Sequence, residues 1–319
     1  MRLAVALALL AGCVASHGAE LTNARRPRND TELRFWLENM LWHHRFTPEE
    51  VSAATGLSHV QIDDARKRLG VGPRPSTLDS RRGVVRMLPY PGGRHPRIGF
   101  LDGAIDPQRE TKISVFTPWD PNSYVVIDVP EAIWSQHGLL YLAHTHVPTI
   151  WTKQNVTLEP LEWERTNSLG GASSAEPVLT MERLLPNGVV FGARAEPLTN
   201  AVRMELWLKN GSKETLRDLR VQNCVMLKGA SGFNQQTNAN KIFQPPYVAV
   251  GSPDRARWII TAWEPLHRAW ANPPVPCLHS DPKFPDCAPG ETQRVRGWLW
   301  FYEGTAITNE LAQLSTSLK

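Results

Sequence analysis

The sequence predicts a mainly β protein, an antiparallel β-sandwich with a small N-terminal α-helical module. Three observations carry this. From about residue 159 onward, short runs of alternating apolar and polar residues recur with turns between them and no βαβ spacing. The 26 prolines and 22 glycines supply many chain reversals and argue against long helices. The clearest helical periodicity falls within residues 31–71.

Taken in order, the chain opens on a targeting segment. Met1-Arg2 is a minimal positive start, and Leu3 to Leu10 is an apolar run too short to span a bilayer. Residues 1–19 therefore read as a signal peptide, and the protein is expected to be exported. Leu10-Ala11-Gly12-Cys13 resembles the bacterial lipoprotein signal, which implies a lipid anchor at Cys13. Simple cleavage between Ala15 and Ala19 is the alternative. Apart from that anchor, no membrane attachment is expected.

Leu33, Trp36, Leu37, Met40 and Leu41 recur at helical spacing from Glu32 to about Arg45. Thr47-Pro48-Glu49-Glu50 is a helix start with cap, first-turn proline and capping-box glutamate. Gly56 breaks that helix. Ser58 to Gln61 caps another, which Gly70 stops. The block at 31–71 resembles a helix-turn-helix unit. Gln61, Arg66 and Lys67 would face a groove, but Asp63 and Asp64 among them repel phosphates. A helical cap on the main domain is the favoured reading, a DNA-binding regulator the alternative. The formal charge of +4 is mild and interleaved, so no nucleic-acid partner is expected.

Residues 72–97, rich in Pro, Gly and Arg, read as a linker, and 98–319 as the sandwich. Lys112 to Phe116 alternates as a half-buried strand, and Tyr124 to Val129 is its partner across an Asp120-Pro121-Asn122 turn. Asp102, Asp106, Arg109 and Glu110 crowd the approach to that strand. Glu110 forms either a surface ion pair with Lys112 on one face of that strand or a carboxylate beside the charge stabiliser Arg109 at a cleft mouth. Leu139 to Ala143 is a further strand that delivers His144 and His146 to one face. Gly138, five residues, then His144-Thr145-His146 resembles the opening of the cupin metal motif. It implies a divalent metal on a cupin-like barrel, although Ile150 and Trp151 stand where that motif needs a glutamate. Two histidines bonded to backbone are the plainer reading.

The strands continue through 202–208, an Asn210-Gly211 turn, 219–226, 258–263 and 294–302, and a short helix closes the chain at 306–314. From 202 to 229, the run VRMELWLKNGSKETLRDLRVQNCVMLKG resembles the galactose-mutarotase-like supersandwich proteins. The resemblance covers about 30 residues. It implies a supersandwich-like fold and a carbohydrate ligand. Asn223-Cys224 occupies the place of a family histidine, so it does not imply mutarotase activity.

Export favours oxidised cysteines, and Cys277 and Cys287 bracket a Pro- and Asp-rich stretch. A disulfide closing that loop is expected, with roughly 2–4 kcal/mol of stabilisation. Cys224 reads as a buried free thiol, and the lack of a CxxC pair argues against a cysteine-bound metal. Trp263-Glu264-Pro265-Leu266-His267-Arg268-Ala269-Trp270 and the following His279-Ser280-Asp281 combine indole platforms with acid, base and cation. Trp119 is a third stacking candidate. An aromatic-packed loop is the competing reading, and the 12 tryptophans suit a large core as well as sugar stacking. The amide-rich loop at 229–240 suits hydroxyl ligands or plain solvation.

The sequence carries no phosphate loop, dinucleotide fingerprint, nucleophile elbow or HExxH. The expectation is an exported carbohydrate-active enzyme, a hydrolase, lyase or epimerase. In it His144, His146, His267, Glu110 and Glu264 move protons or hold a metal, and Trp119, Trp263, Trp270, His279 and Asp281 bind substrate. A non-catalytic glycan-binding or surface-assembly protein is the second expectation.

Overall fold

The computed structural model describes residues 24–79, 85–99, 109–143, 149–154, 156, 158–166 and 176–317. The signal segment with Cys13, Asp102, Asp106, and the pair His144 and His146 lie outside the described residues.

Helix α1 (Asp30–Glu38) runs into a π-turn at Asn39–His43, followed by α2 (Pro48–Thr55) and α3 (His59–Leu69). Both expected capping boxes form, Thr47 with Glu50 and Ser58 with Gln61, and Gly56 and Gly70 close their helices in the left-handed conformation. Leu37, Met40, Val51, Ala54, Ile62 and Ala65 bury the module's own small core.

Next come β1 (Met87–Pro89), β2 (Lys112–Phe116), β3 (Tyr124–Ser135), β4 (Gly138–Leu142), the single turn α4 (Ile150–Lys153) and β5 (Glu164–Thr166). They continue as β6 (Val178–Leu184), β7 (Val190–Pro197), β8 (Ala201–Lys209), β9 (Val221–Met226), β10 (Lys241–Gln244), β11 (Tyr247–Gly251) and β12 (Arg257–Glu264). The last are β13 (Leu266–Ala271), β14 (Cys277–Pro282), β15 (Thr292–Glu303) and α5 (Ile307–Ser317).

The strands form two antiparallel sheets. One has seven strands in the order β1-β2-β3-β9-β14-β13, with β4 also on β3. The other has eight, β10-β11-β12-β15-β8-β7-β6-β5. Their facing sides share one core that includes Ile113, Ile127, Val225 and Leu278 from the first sheet and Phe191, Leu206, Ile259 and Leu299 from the second. Alternation along each strand decides which residues enter it. The mainly β sandwich with N-terminal helices is thus present.

After Asn210-Gly211 the chain leaves β8, which lies between β7 and β15, and crosses to β9 in the other sheet. One local expectation needs correction. Cys277 and Cys287 are free thiols, not a disulfide. Cys277 begins β14, and Cys287 bridges to Leu216 ten positions later. Cys277–Pro282 is strand, rising about 3.3 Å per residue, and Lys283 and Cys287 make isolated bridges to Arg220 and Leu216, in place of the loop that the Pro and Asp content suggested. A disulfide usually needs Cα atoms about 4.4–6.8 Å apart.

The outward side of the seven-stranded sheet is covered. The stretch read as a linker contributes β1, and its continuation through Arg97 is largely buried across the sheet. The helical module docks beside it. Asn39 Nδ2 donates to Pro89 O at 3.0 Å, and the Arg109 guanidinium sits 3.9 Å over the Trp36 ring. His44 is sealed in this joint. Its Nδ1 faces Asn39 O at 3.0 Å and so donates, which leaves Nε2 to accept from the Ser114 hydroxyl at 2.6 Å.

Candidate functional site

The outward side of the seven-stranded sheet bears a row of ionisable groups where a solvated sheet would bear scattered polar residues. Lys112 on β2 is paired with Asp128 on β3, and Asp128 with Cys224 on β9. Val225 pairs with Leu278, so continuing the register sets His279 of β14 beside Cys224; His279 in turn pairs with Trp270 of β13. The residues between these positions point inward, so the five stand side by side on one face.

Contacts tie the row together. Lys112 Nζ lies 2.9 Å from Asp128 Oδ2, and the Thr111 hydroxyl also reaches the Asp128 carboxylate. Burial pushes the Asp128 carboxyl up. A bulge between Asp128 and Ala132 turns Glu131 to the same side. There it pairs with Arg97 and accepts from Gln222 Nε2 at 2.9 Å. Arg97 Nη2 is 3.4 Å from Cys224 Sγ. His279 Nε2 lies 3.1 Å from Cys277 Sγ, its ring stacks on Trp270 at 3.9 Å, and its Nδ1 is 3.7 Å from Asp281 Oδ1.

Asp281 is saturated with donors. It accepts from Asn223 N at 3.1 Å, Trp270 Nε1 at 2.7 Å, and Arg268 Nε and Nη2 at 3.1 and 2.8 Å. Such a carboxylate orients its neighbours. Burial acts to lower the His279 imidazole, but the Cys224 thiol and the Asp281 carboxylate outweigh it and hold it up at about 10. The Cys224 hydrogen bond, with Arg97 nearby, brings the Cys277 thiol down, whereas burial pushes Cys224 well up. Most of the cluster is buried. Arg268 and His267 are exposed, and Gln222 and Trp270 half-buried, forming its rim.

The structure gathers some expected site residues and disperses others. Trp270, His279 and Asp281 meet as described. Glu264 is half-buried at the end of β12, and His267 sits in a bulge of β13. Arg109 and Glu110 lie elsewhere, at the joint between helices and sandwich. Glu110 is held by Arg25 and by Arg183 Nη2 at 3.0 Å, and Arg109 Nη2 contacts Glu162 at 3.0 Å. Trp263 is inside the core, 1% exposed, and Trp119 packs on Phe233 and Phe301. The chain leading to His144 ends its described part at Ala143, whose N–H donates to Glu131 O at 2.8 Å. Sequence reasoning passed over Arg97, Asp128, Glu131 and Gln222, whereas Arg268 was part of the expected Trp263–Trp270 constellation. The one available signal was Asp128 itself, a carboxylate within an apolar strand.

Two surface hollows lie elsewhere, about 490 Å³ beside Leu158 and Glu182 and about 450 Å³ beside Gly70. Neither is lined by a histidine or a cysteine.

Covered histidines make the assembly acid-sensitive. Burial, with His43 and Arg94 nearby, holds His44 at about 3, and burial beside Lys112, Arg97 and Lys228 does the same to His95. A depressed folded value contributes stability above the unfolded pKa of about 6.5, and that stability is lost as pH falls toward 3. At pH 5 the loss for His44 is about 2 kcal/mol, and His95 adds to it. Urea midpoints measured from pH 7 to 5 are expected to fall accordingly, and a flat profile would refute the assignment.

No protein-family model matches the chain, and no curated protein matches it. Solved structures overlap it in part. A putative kojibiose phosphorylase from the human microbiome aligns at TM-score 0.35 and 7% identity, over 61% of this chain and 26% of that one. A putative aldose 1-epimerase from Escherichia coli K12 aligns at TM-score 0.35 and 12% identity, over 56% and 84%. A heparan sulfate lyase from Pedobacter heparinus aligns at TM-score 0.34 and 11% identity, over 65% and 37%. Likeness of this degree carries no argument about chemistry, which rests on the residues above.

Proposed function

We propose that this is an exported carbohydrate-active protein whose saccharide site is the β13–β14 rim of the seven-stranded sheet. One observation carries the reading: a guanidinium, an indole, an imidazole and a carboxylate meet in Arg268, Trp270, His279 and Asp281, with a second carboxylate, Glu131, one residue away across Gln222. The supersandwich resemblance of residues 202–229 supports the same ligand class.

Arg268 and Gln222 reach the surface and bind hydroxyls. Asp281 fixes Arg268 and the Trp270 ring. Glu131, held by Arg97 and by Gln222 Nε2 at 2.9 Å, is the carboxylate for proton transfer. Burial of His279 and Asp281 favours a second reading, a glycan-binding module without turnover.

Glycan binding by calorimetry, with release of reducing or unsaturated ends as the turnover signal, tests both. Arg268→Ala is expected to weaken binding about 10-fold or more, the loss of a charged hydrogen bond. Glu131→Gln is expected to bind normally and lose turnover. Binding without turnover in the wild type selects the second reading, and unchanged affinity in Arg268→Ala overturns the rim as the site. Export is tested by the mature N-terminus, expected at Cys13 or between residues 15 and 20.

A further inference from the structure

We propose that Cys224, Cys277 and His279 form a binding site for one borderline-soft divalent cation of the zinc class. One ligand atom from each residue lies within 4.8 Å of the other two, and all three residues are buried. Two thiolates and an imidazole select zinc-like ions over magnesium or calcium. Tetrahedral zinc, with bonds of about 2.3 Å to sulfur and 2.0–2.1 Å to nitrogen, holds its ligands about 3.5–3.8 Å apart. The Cys277 Sγ to His279 Nε2 distance of 3.1 Å needs little adjustment to reach that.

The surroundings are those of a metal ligand set. His279 Nδ1 is buried and makes no hydrogen bond among the described residues, and Asp281 Oδ1 stands 3.7 Å away. A carboxylate behind a histidine fixes the tautomer that coordinates through the other nitrogen. Trp270 clamps the ring plane from one side. Arg97, 3.4 Å from Cys224 Sγ, opposes the burial that pushes that thiol up, and a bound cation would complete its ionisation. The three ligands found among the described residues fill three of the four positions of tetrahedral zinc.

A disulfide is the competing use of two thiols, and register disfavours it. Cys277 pairs with Met226, two residues from Cys224, so the cysteines are diagonal neighbours. Diagonal positions are about 7–8 Å apart, beyond the usual disulfide spacing of about 4.4–6.8 Å. The missing CxxC pair is no obstacle, because the two sulfurs come from adjacent strands.

The test is Co(II) titration of the reduced full-length chain. A sulfur-to-cobalt charge-transfer band is expected to saturate at one equivalent and to be displaced by Zn(II). Cys224→Ser and Cys277→Ser lose it, Cys287→Ser keeps it, and Asp281→Asn weakens binding about 10–100-fold. No band in the wild type, or an undiminished band in Cys277→Ser, overturns the site. Alkylation of the wild type in mild denaturant, mapped by peptide mass, needs no variant. Zn(II) is expected to protect Cys224 and Cys277 but not Cys287, and equal labelling with and without Zn(II) overturns the site. Neither readout involves a saccharide, so the outcome stands apart from the glycan assays.

Discussion

Asp128→Ala is expected to destabilise the protein by about 3–5 kcal/mol, the cost of leaving one member of a buried ion pair without its partner. Lys112 and Asp128 are both 0% exposed and 2.9 Å apart in the middle of the sheet. The stranded ammonium would sit in a locally cationic group: Lys112, Arg97 and Lys228 all bear on His95, and Glu131 is paired with Arg97. Converting both residues, as Lys112→Met with Asp128→Leu, removes the charges together and is expected to recover most of the loss. Urea midpoints for the two single variants and the double close the cycle. A single-variant cost below 1 kcal/mol, or strict additivity, would show that the pair is not the buried unit described here.

That pair also marks where sequence reading stops. Thr47, Glu50, Ser58 and Gln61 were legible because a capping box lies within four residues. The strand at 292–303 was legible because Val295, Leu299 and Phe301 alternate with polar or half-exposed neighbours. The row from Lys112 to Trp270 was not, because it joins positions up to about 160 residues apart through strand order and register, which no local pattern encodes. Tryptophans misled for a related reason. On β12, Trp258, Ile260 and Ala262 pack under α5 while Ile259 and Trp263 enter the sandwich core, so both faces are apolar and alternation is silent. Cys277 and Cys287 misled because Pro and Asp, which usually signal loops, here occupy an extended segment bonded to neighbouring chain.

Gly297→Ala is expected to cost about 3 kcal/mol, an overpacking penalty at the upper end of the usual range. Gly297 lies on β15 opposite Trp263, and a Cβ there would fall 2.2 Å from two atoms of the Trp263 ring. Trp263 is 1% exposed, so the indole cannot swing into solvent; it must press on the sheet across the core. What it presses on is the candidate site. The Trp263 backbone N–H donates to Ser280 Oγ at 2.9 Å, and Ser280 sits between His279 and Asp281 on β14. The variant should therefore lose affinity at the β13–β14 rim as well as stability, although Gly297 touches none of the site's polar groups. Shrinking the ring tests the cause: Gly297→Ala with Trp263→Leu is expected to be about 1–2 kcal/mol more stable than the sum of the single changes predicts. A neutral Gly297→Ala, or a double variant with no such recovery, would mean that Trp263 does not transmit packing from β15 to β14.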